Sequence, residues 1–221
     1  MKSYRLLAML LAGLCLGMPL QAGAQAARAR STAGVDLQAR LKEVERDPKL
    51  LEAALKTGRA VAGVCDYCHG VGGNSPTPDV PNLASQIPVY NLEQLRQYAA
   101  GERKDTFMEG MIKVMNADEK VGMVLFYARQ KVATKPPGNP ILVAKGKDLY
   151  KKACQSCHGE SGHGDDELAR IAGQQPVYLN RALKRYRTGT GVRLDAAMAK
   201  SIKPMSDADI DALVAYMMSM E

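Results

Sequence analysis

The sequence predicts an all-α fold of two small tandem domains joined by a Pro-rich linker, and three observations predict it. Two stretches share one order of landmarks: Cys65-Asp66-Tyr67-Cys68-His69 matches Cys154-Gln155-Ser156-Cys157-His158, and Pro88-Val89-Tyr90 matches Pro176-Val177-Tyr178. Leu95, Tyr98 and Gly101 then match Leu183, Tyr186 and Gly189. Apolar residues recur at helical spacing, with no strand alternation. Between the copies lie Pro136, Pro137, Gly138 and Pro140, a run that breaks helices. This is duplication of a unit of about 80 residues.

Each element has its own signal. Residues 1–24 read as a secretory leader: Lys2 and Arg5 are its charged region, Leu6 to Leu16 its apolar stretch, and small residues near 24–26 its cleavage site. The apolar stretch is too short to span a bilayer comfortably, so a cleaved signal and a periplasmic location are expected. Cys15 falls in the leader, and bulky Leu14 before it argues against a lipoprotein cysteine. Residues 25–57 form an N-terminal helical extension, interrupted near Asp47-Pro48, with no counterpart in the second half. The first domain covers 58–133, the linker 134–144 and the second domain 145–221. In each domain one helix leads into the Cys-x-x-Cys-His run, a middle helix starts at the Pro-Val-Tyr, and a last helix closes the unit. Asn116 with Glu119, and Ser206 with Asp209, form capping boxes that start the last helices. Gly58 and Gly146 each precede their motif by two helical turns.

Cys-x-x-Cys-His is the attachment signature of a c-type haem. Two thiols add across the haem vinyl groups, and the adjacent histidine is held against the iron. Zinc ribbons separate their cysteine pairs by about 15–20 residues, far less than here, and a thioredoxin-like pair has no need of the following histidine. Two covalently attached haem c groups are therefore expected, held by Cys65 and Cys68, and by Cys154 and Cys157. The formal charge is +7, and loss of Lys2 and Arg5 with the leader leaves about +5. Four haem propionates lower it further, which argues against nucleic-acid binding. Aromatic residues make up 5% and tryptophan is absent, so the haem faces must supply core that side chains do not.

The iron's second axial ligand follows from scarcity. The chain has three histidines; His69 and His158 are the proximal ligands, so two bis-histidine haems are excluded. His163, in Gly162-His163-Gly164, reads as an exposed loop residue. The repeat leaves two methionine pairs, Met108 with Met198 and Met115 with Met205. The second pair stands directly before the caps Asn116 and Ser206, where an apolar residue packs as a staple. Met108 and Met198, expected in the loop after each middle helix, are assigned as the distal ligands. A thioether opposite histidine raises the reduction potential and closes the sixth position. The proximal imidazole N–H needs an acceptor; Pro81 is placed to supply a carbonyl, and Ala169 occupies the aligned position.

With these residues in view, the chain resembles the dihaem cytochrome c4 family, two class I cytochrome c domains in tandem, from roughly Gly58 to Met220. The resemblance rests on both Cys-x-x-Cys-His-Gly runs, the Pro-Asn-Leu-Ala-Ser-Gln and Arg-Ile-Ala-Gly-Gln segments, Gly101-Glu102-Arg103-Lys104 and the two methionines. It implies haems close across the domain interface, and electron delivery from a quinol-oxidising cytochrome bc complex to a terminal oxidase or another reductase. The expected function is thus a periplasmic electron carrier rather than an enzyme, with redox proteins as partners and peripheral membrane association. The competing readings are a dihaem peroxidase or thiosulfate-oxidising enzyme, and an electron-transfer subunit of a larger membrane complex. Arg181, Lys184, Arg185, Arg187 and Arg193 form a basic cluster with two readings, steering of docking to an acidic partner, and a solvated helix face or pairing with haem propionates.

Overall fold

The computed structural model describes residues 35–136, 138–190 and 195–221, and among these it is helical without strands. The leader, its cleavage site, Cys15, Pro137 and Arg193 lie outside the described residues. Helix α1 (Leu37–Arg46) begins at Asp36, whose carboxylate caps the amides of Gln38 and Ala39. It stops at Asp47, which caps α2 (Pro48–His69) in turn, with Pro48 in the first turn, where a missing N–H costs nothing. The break expected at Asp47-Pro48 is therefore a cap-to-cap junction. Helix α2 runs unbroken through residues 57 and 58, so the extension and the first domain share one helix. Leu41 and Val44 of α1 are buried in the first core, which makes the extension a packing element of that domain.

A short 3-10 turn (Val71–Gly73) follows, then α3 (Pro88–Ala100), α4 (Thr106–Val114) and α5 (Ala117–Ala128). The second half repeats this order: α6 (Pro140–Ala153), α7 (Gln155–His158), α8 (Pro176–Thr188), α9 (Ala196–Ile202) and α10 (Asp207–Met218). Both expected capping boxes are present, Asn116 with Glu119 and Ser206 with Asp209. The middle helices start at Pro88 and Pro176 and end at the left-handed glycines Gly101 and Gly189. Apolar side chains collect into two cores, one around Leu92, Val124 and Leu125, the other around Leu179, Ile210 and Leu213.

In each half the helix leading into the motif, α2 or α6, crosses the last helix at backbone contact. A Cβ on Gly58 would lie 2.0 Å from the Gly122 carbonyl oxygen, and one on Gly146 would lie 2.0 Å from that of Ala212. Glycine is required here because backbone, not a flexible side chain, fills the space. This crossing fixes where the end of α2, and hence its cysteines and histidine, stands over the domain.

The repeat also exposes an oddity. Lys120 in α5 is 6% exposed, whereas its counterpart Ile210 is fully buried. Burial pushes the Lys120 ammonium below its ordinary value, with Glu119 partly opposing. An apolar side chain suits the position better, because a buried charge loses hydration.

Two outcomes follow. Gly58→Ala should destabilise the protein by about 3 kcal/mol, near the upper end of overpacking penalties, as read by denaturant unfolding, and Gly146→Ala should do likewise. Lys120→Ile should raise stability by about 1 kcal/mol at neutral pH. With the folded-state value depressed, the unfolded chain binds more protons in the interval up to the ordinary lysine value. Wild-type stability should therefore gain a contribution as pH rises through that alkaline interval, and the Lys120→Ile variant should lack it.

Candidate haem centres

In the last turns of α2, Cys65, Cys68 and His69 stand at i, i+3 and i+4, so one helical face carries both sulfurs and the imidazole. Cys65 Sγ lies 3.8 Å from Met123 Sδ and donates to the Val61 carbonyl at 3.7 Å. Burial pushes the Cys65 thiol up, with Asp66 adding to the effect. Directly after the motif, Gly70 turns the chain at φ 75°, and a Cβ there would meet the Asn74 carbonyl oxygen at 1.9 Å. Tyr127 Oη donates to Asp66 Oδ1 at 3.0 Å and ties the motif to α5.

His69 is buried, and its Nδ1 lies 2.8 Å from the Pro81 carbonyl. A carbonyl only accepts, so Nδ1 carries the proton and Nε2 keeps its lone pair. Burial pushes the imidazole below the ordinary histidine value and the Arg103 charge acts in the same direction, while the Pro81 carbonyl and Asp66 oppose them. A neutral, oriented imidazole is what iron coordination requires.

The second motif is built slightly differently. Helix α6 ends at Ala153, and Cys154 caps the single turn α7 that carries Cys157 and His158. His158 is buried, with Nδ1 3.0 Å from the Ala169 carbonyl. Burial pushes the Cys154 thiol up to about 11, and Cys157 is exposed. A cavity brings Cys154, Cys157 and His158 together with Ile171, Leu183 and Met198. A flat apolar group would fit such a lining, with His158 and Met198 available as metal donors.

Met108 and Met198 were expected in loops. Each instead occupies the third residue of a short helix, α4 or α9. The amide of Met108 is capped by Asp105 Oδ1 at 3.0 Å and that of Met198 by Asp195 Oδ1 at 2.9 Å. The Asp-x-x-Met pattern in both halves was the legible signal for this. Both methionines are half-buried against their own cores. Met115 is 7% exposed within the first core, as a staple should be. His163 is exposed and bonds the Glu221 carbonyl at 2.7 Å.

The cavity extends across the domain boundary, where Arg103 and Arg170 line it. Arg170 Nε is buried without a hydrogen-bond partner in the structure, and burial pushes this guanidinium below its ordinary value. A haem propionate is an anion of the size and chemistry to satisfy it. Thiols, buried histidines held at Nδ1 and methionines recur at both motifs, and at the second the cavity and this orphaned donor join them, a set that fits haem c. Among the described residues no group of three His, Cys, Asp or Glu side chains converges as a metal site, which leaves the zinc reading without a ligand set.

Around the cavity the two domains meet through buried amides that sequence reasoning assigned no role. Gln174 Oε1 accepts from the Asn82 amide at 2.6 Å, and its Nε2 donates to the Asn82 carbonyl at 3.1 Å. Gln86 does the same to Arg170, at 2.8 and 3.0 Å. Gln175 Nε2 donates to the Ser75 carbonyl and to Asn82 Oδ1. The repeat carried a hint, because Gln86 and Gln174 are equivalent positions. The basic cluster is largely partnered: Lys184 and Arg187 both pair with Asp207, and Arg181 with Asp79 across the boundary. Arg185 is exposed. No described helix is long and apolar enough to cross a membrane.

Residues 143–221 match the Cytochrome c family. Cytochrome c4 of Pseudomonas aeruginosa is 32% identical over 171 residues, covering 72% of this chain and 85% of that protein. A thiosulfate dehydrogenase electron acceptor of Thiomonas intermedia is 30% identical over 141 residues, covering 58% of this chain and 65% of that protein. The crystal structure of reduced recombinant cytochrome c4 from Pseudomonas stutzeri superposes with a TM-score of 0.70 at 29% identity, covering 75% of this chain and 98% of that one.

Proposed function

Because this chain belongs to the dihaem cytochrome c4 family, we propose that its two covalently attached haem c groups are held by Cys65, Cys68 and His69 and by Cys154, Cys157 and His158, with Met108 and Met198 as the opposing ligands. The observation that carries the proposal is the paired arrangement of a buried histidine, its Nδ1 committed to a carbonyl, and a methionine on a capped helix in the same domain. The protein is an electron-transfer cytochrome. Bound haem supplies the Fe(III)/Fe(II) couple. The chain's residues do the rest: apolar cores exclude water, the carbonyls of Pro81 and Ala169 hold the imidazoles in one orientation, and Arg170 offers a buried cation to a propionate. Rigid ligands keep rearrangement between oxidation states small. The matched methionine helices support a carrier over an enzyme, since methionine ligation in both domains would leave neither iron open to a substrate.

The finer reading places the carrier in the periplasm, after removal of the leader, between a quinol-oxidising cytochrome bc complex and a terminal oxidase or other reductase. Peripheral contact with those membrane complexes accompanies it. The Thiomonas relative supports a second donor class: a thiosulfate-oxidising enzyme would feed electrons into the same haems. Reduction of the purified protein by a quinol-oxidising membrane complex, compared with reduction by a thiosulfate-oxidising enzyme, distinguishes the two. Equal inertness to both would overturn the respiratory placement.

Met108→Ala and Met198→Ala should each open one haem, so that carbon monoxide binds about half the reduced haem and the potential of that haem falls. Unaltered six-coordinate spectra in both variants would refute the ligand assignment. Arg185→Glu should slow association with an acidic partner a few-fold at low salt, with the difference vanishing at high salt. Stopped-flow reduction at two ionic strengths measures this.

A further inference from the structure

The amides that join the domains are the same amides that hold the proximal histidines. The peptide between Pro81 and Asn82 accepts from His69 Nδ1 at its carbonyl, 2.8 Å away, and donates its N–H to Gln174 Oε1 at 2.6 Å. The peptide between Ala169 and Arg170 accepts from His158 Nδ1 at 3.0 Å and donates to Gln86 Oε1 at 2.8 Å. Each chain of bonds thus runs from a glutamine in one domain, through one planar amide, to the imidazole of the other domain. Both glutamines are 6% exposed. Their oxygens are also anchored locally, by the Ile87 amide at 3.1 Å and the Gln175 amide at 2.9 Å, at the starts of α3 and α8.

We propose that Gln86 and Gln174 are crossed positioning residues, each setting the proximal hydrogen bond, and through it the reduction potential, of the haem in the opposite domain. The inference rests on His69 and His158 being iron ligands. Donation from an amide N–H polarises the peptide and makes its carbonyl a stronger acceptor, the cooperativity expected of hydrogen-bonded chains in a low-dielectric interior. A stronger acceptor draws the Nδ1 proton away, makes the imidazole more basic and favours Fe(III). Losing a glutamine therefore raises the potential of the other domain's haem. The two halves are not equally dependent. The pyrrolidine ring of Pro81 holds its own backbone φ, whereas Ala169 has no such restraint and leans more on the grip of Gln86 on Arg170. The larger effect falls on the second haem.

The test uses the dihaem protein with Gln86→Met or Gln174→Met, substitutions of similar length that remove both hydrogen bonds across the boundary along with the local one to the Ile87 or Gln175 amide. Spectroelectrochemical titration is combined with nuclear magnetic resonance of the two histidine Nδ1–H protons. Gln86→Met should raise the potential of the second haem and move the His158 signal, leaving His69 and the first haem in place. Gln174→Met should do the converse, with a smaller shift. Equal shifts of both haems, or a shift confined to the mutated domain, would overturn the crossed assignment. Hydrogen exchange of the unmodified protein tests it without any variant: the Asn82 and Arg170 amides should be among the slowest to exchange, and rapid exchange would refute the clamp. If the histidines were not ligands, their ring signals would show no paramagnetic shift in the ferric protein, whatever the glutamine variants did.

Discussion

A buried imidazole offered to a metal has to satisfy two demands at once, neutrality and a single orientation; burial favours the first, and one hydrogen bond from Nδ1 to a backbone carbonyl fixes the second. The carbonyl fixes the tautomer of the neutral ring because it has no proton to give, and burial works against charging it. Much of the remaining structure serves that bond. Helix α2 brings His69 to it, and the close crossing of α2 with α5 sets the height of α2. The loop holding Pro81 must therefore be placed as accurately as the helix, and a free loop would not be.

The loops are not free, because each domain fastens the other's. The glutamine side chains reach across and occupy both hydrogen-bonding groups of Asn82 and Arg170. Unpaired, these buried amides would each lose about 1–3 kcal/mol of solvation; paired, they fix the register of one domain on the other. The duplicated domain has thus become an internal partner. Each half presents one amide and one glutamine, and the pairing is reciprocal as in a two-fold dimer.

Duplication also shows where the halves were free to diverge. The Asp-capped helix with methionine at its third position is kept in both. The helix leading into the motif is continuous in the first half and broken at Cys154 in the second. The first half has recruited α1 to cover its core with Leu41 and Val44, and it accommodates a buried lysine where the second has isoleucine. The charged face of α8 is mostly neutralised by Asp207 and Asp79, so steering by that face depends on fewer charges than a count of basic residues implies.

The motif, middle and last helices, the capping boxes and the two attachment motifs were legible in the amino-acid sequence, because each depends on residues within a turn or two of one another. Asn116 and Glu119, Gly101, and Cys65 with His69 carry their geometry locally, and comparing the halves singled out Met108 and Met198. The short helices that carry these methionines also had a local signal, the Asp-x-x-Met caps, which the loop reading passed over; tertiary structure alone decided that Gly58 meets Gly122 and that Lys184 and Arg187 are held by Asp207. It also decided that Gln86 and Gln174 grip the amides behind the opposite histidines. Such contacts join residues 84 and 92 positions apart, through side-chain amides whose chemistry is the same on a surface as in an interface. Only the packing of one domain on the other gives them a partner.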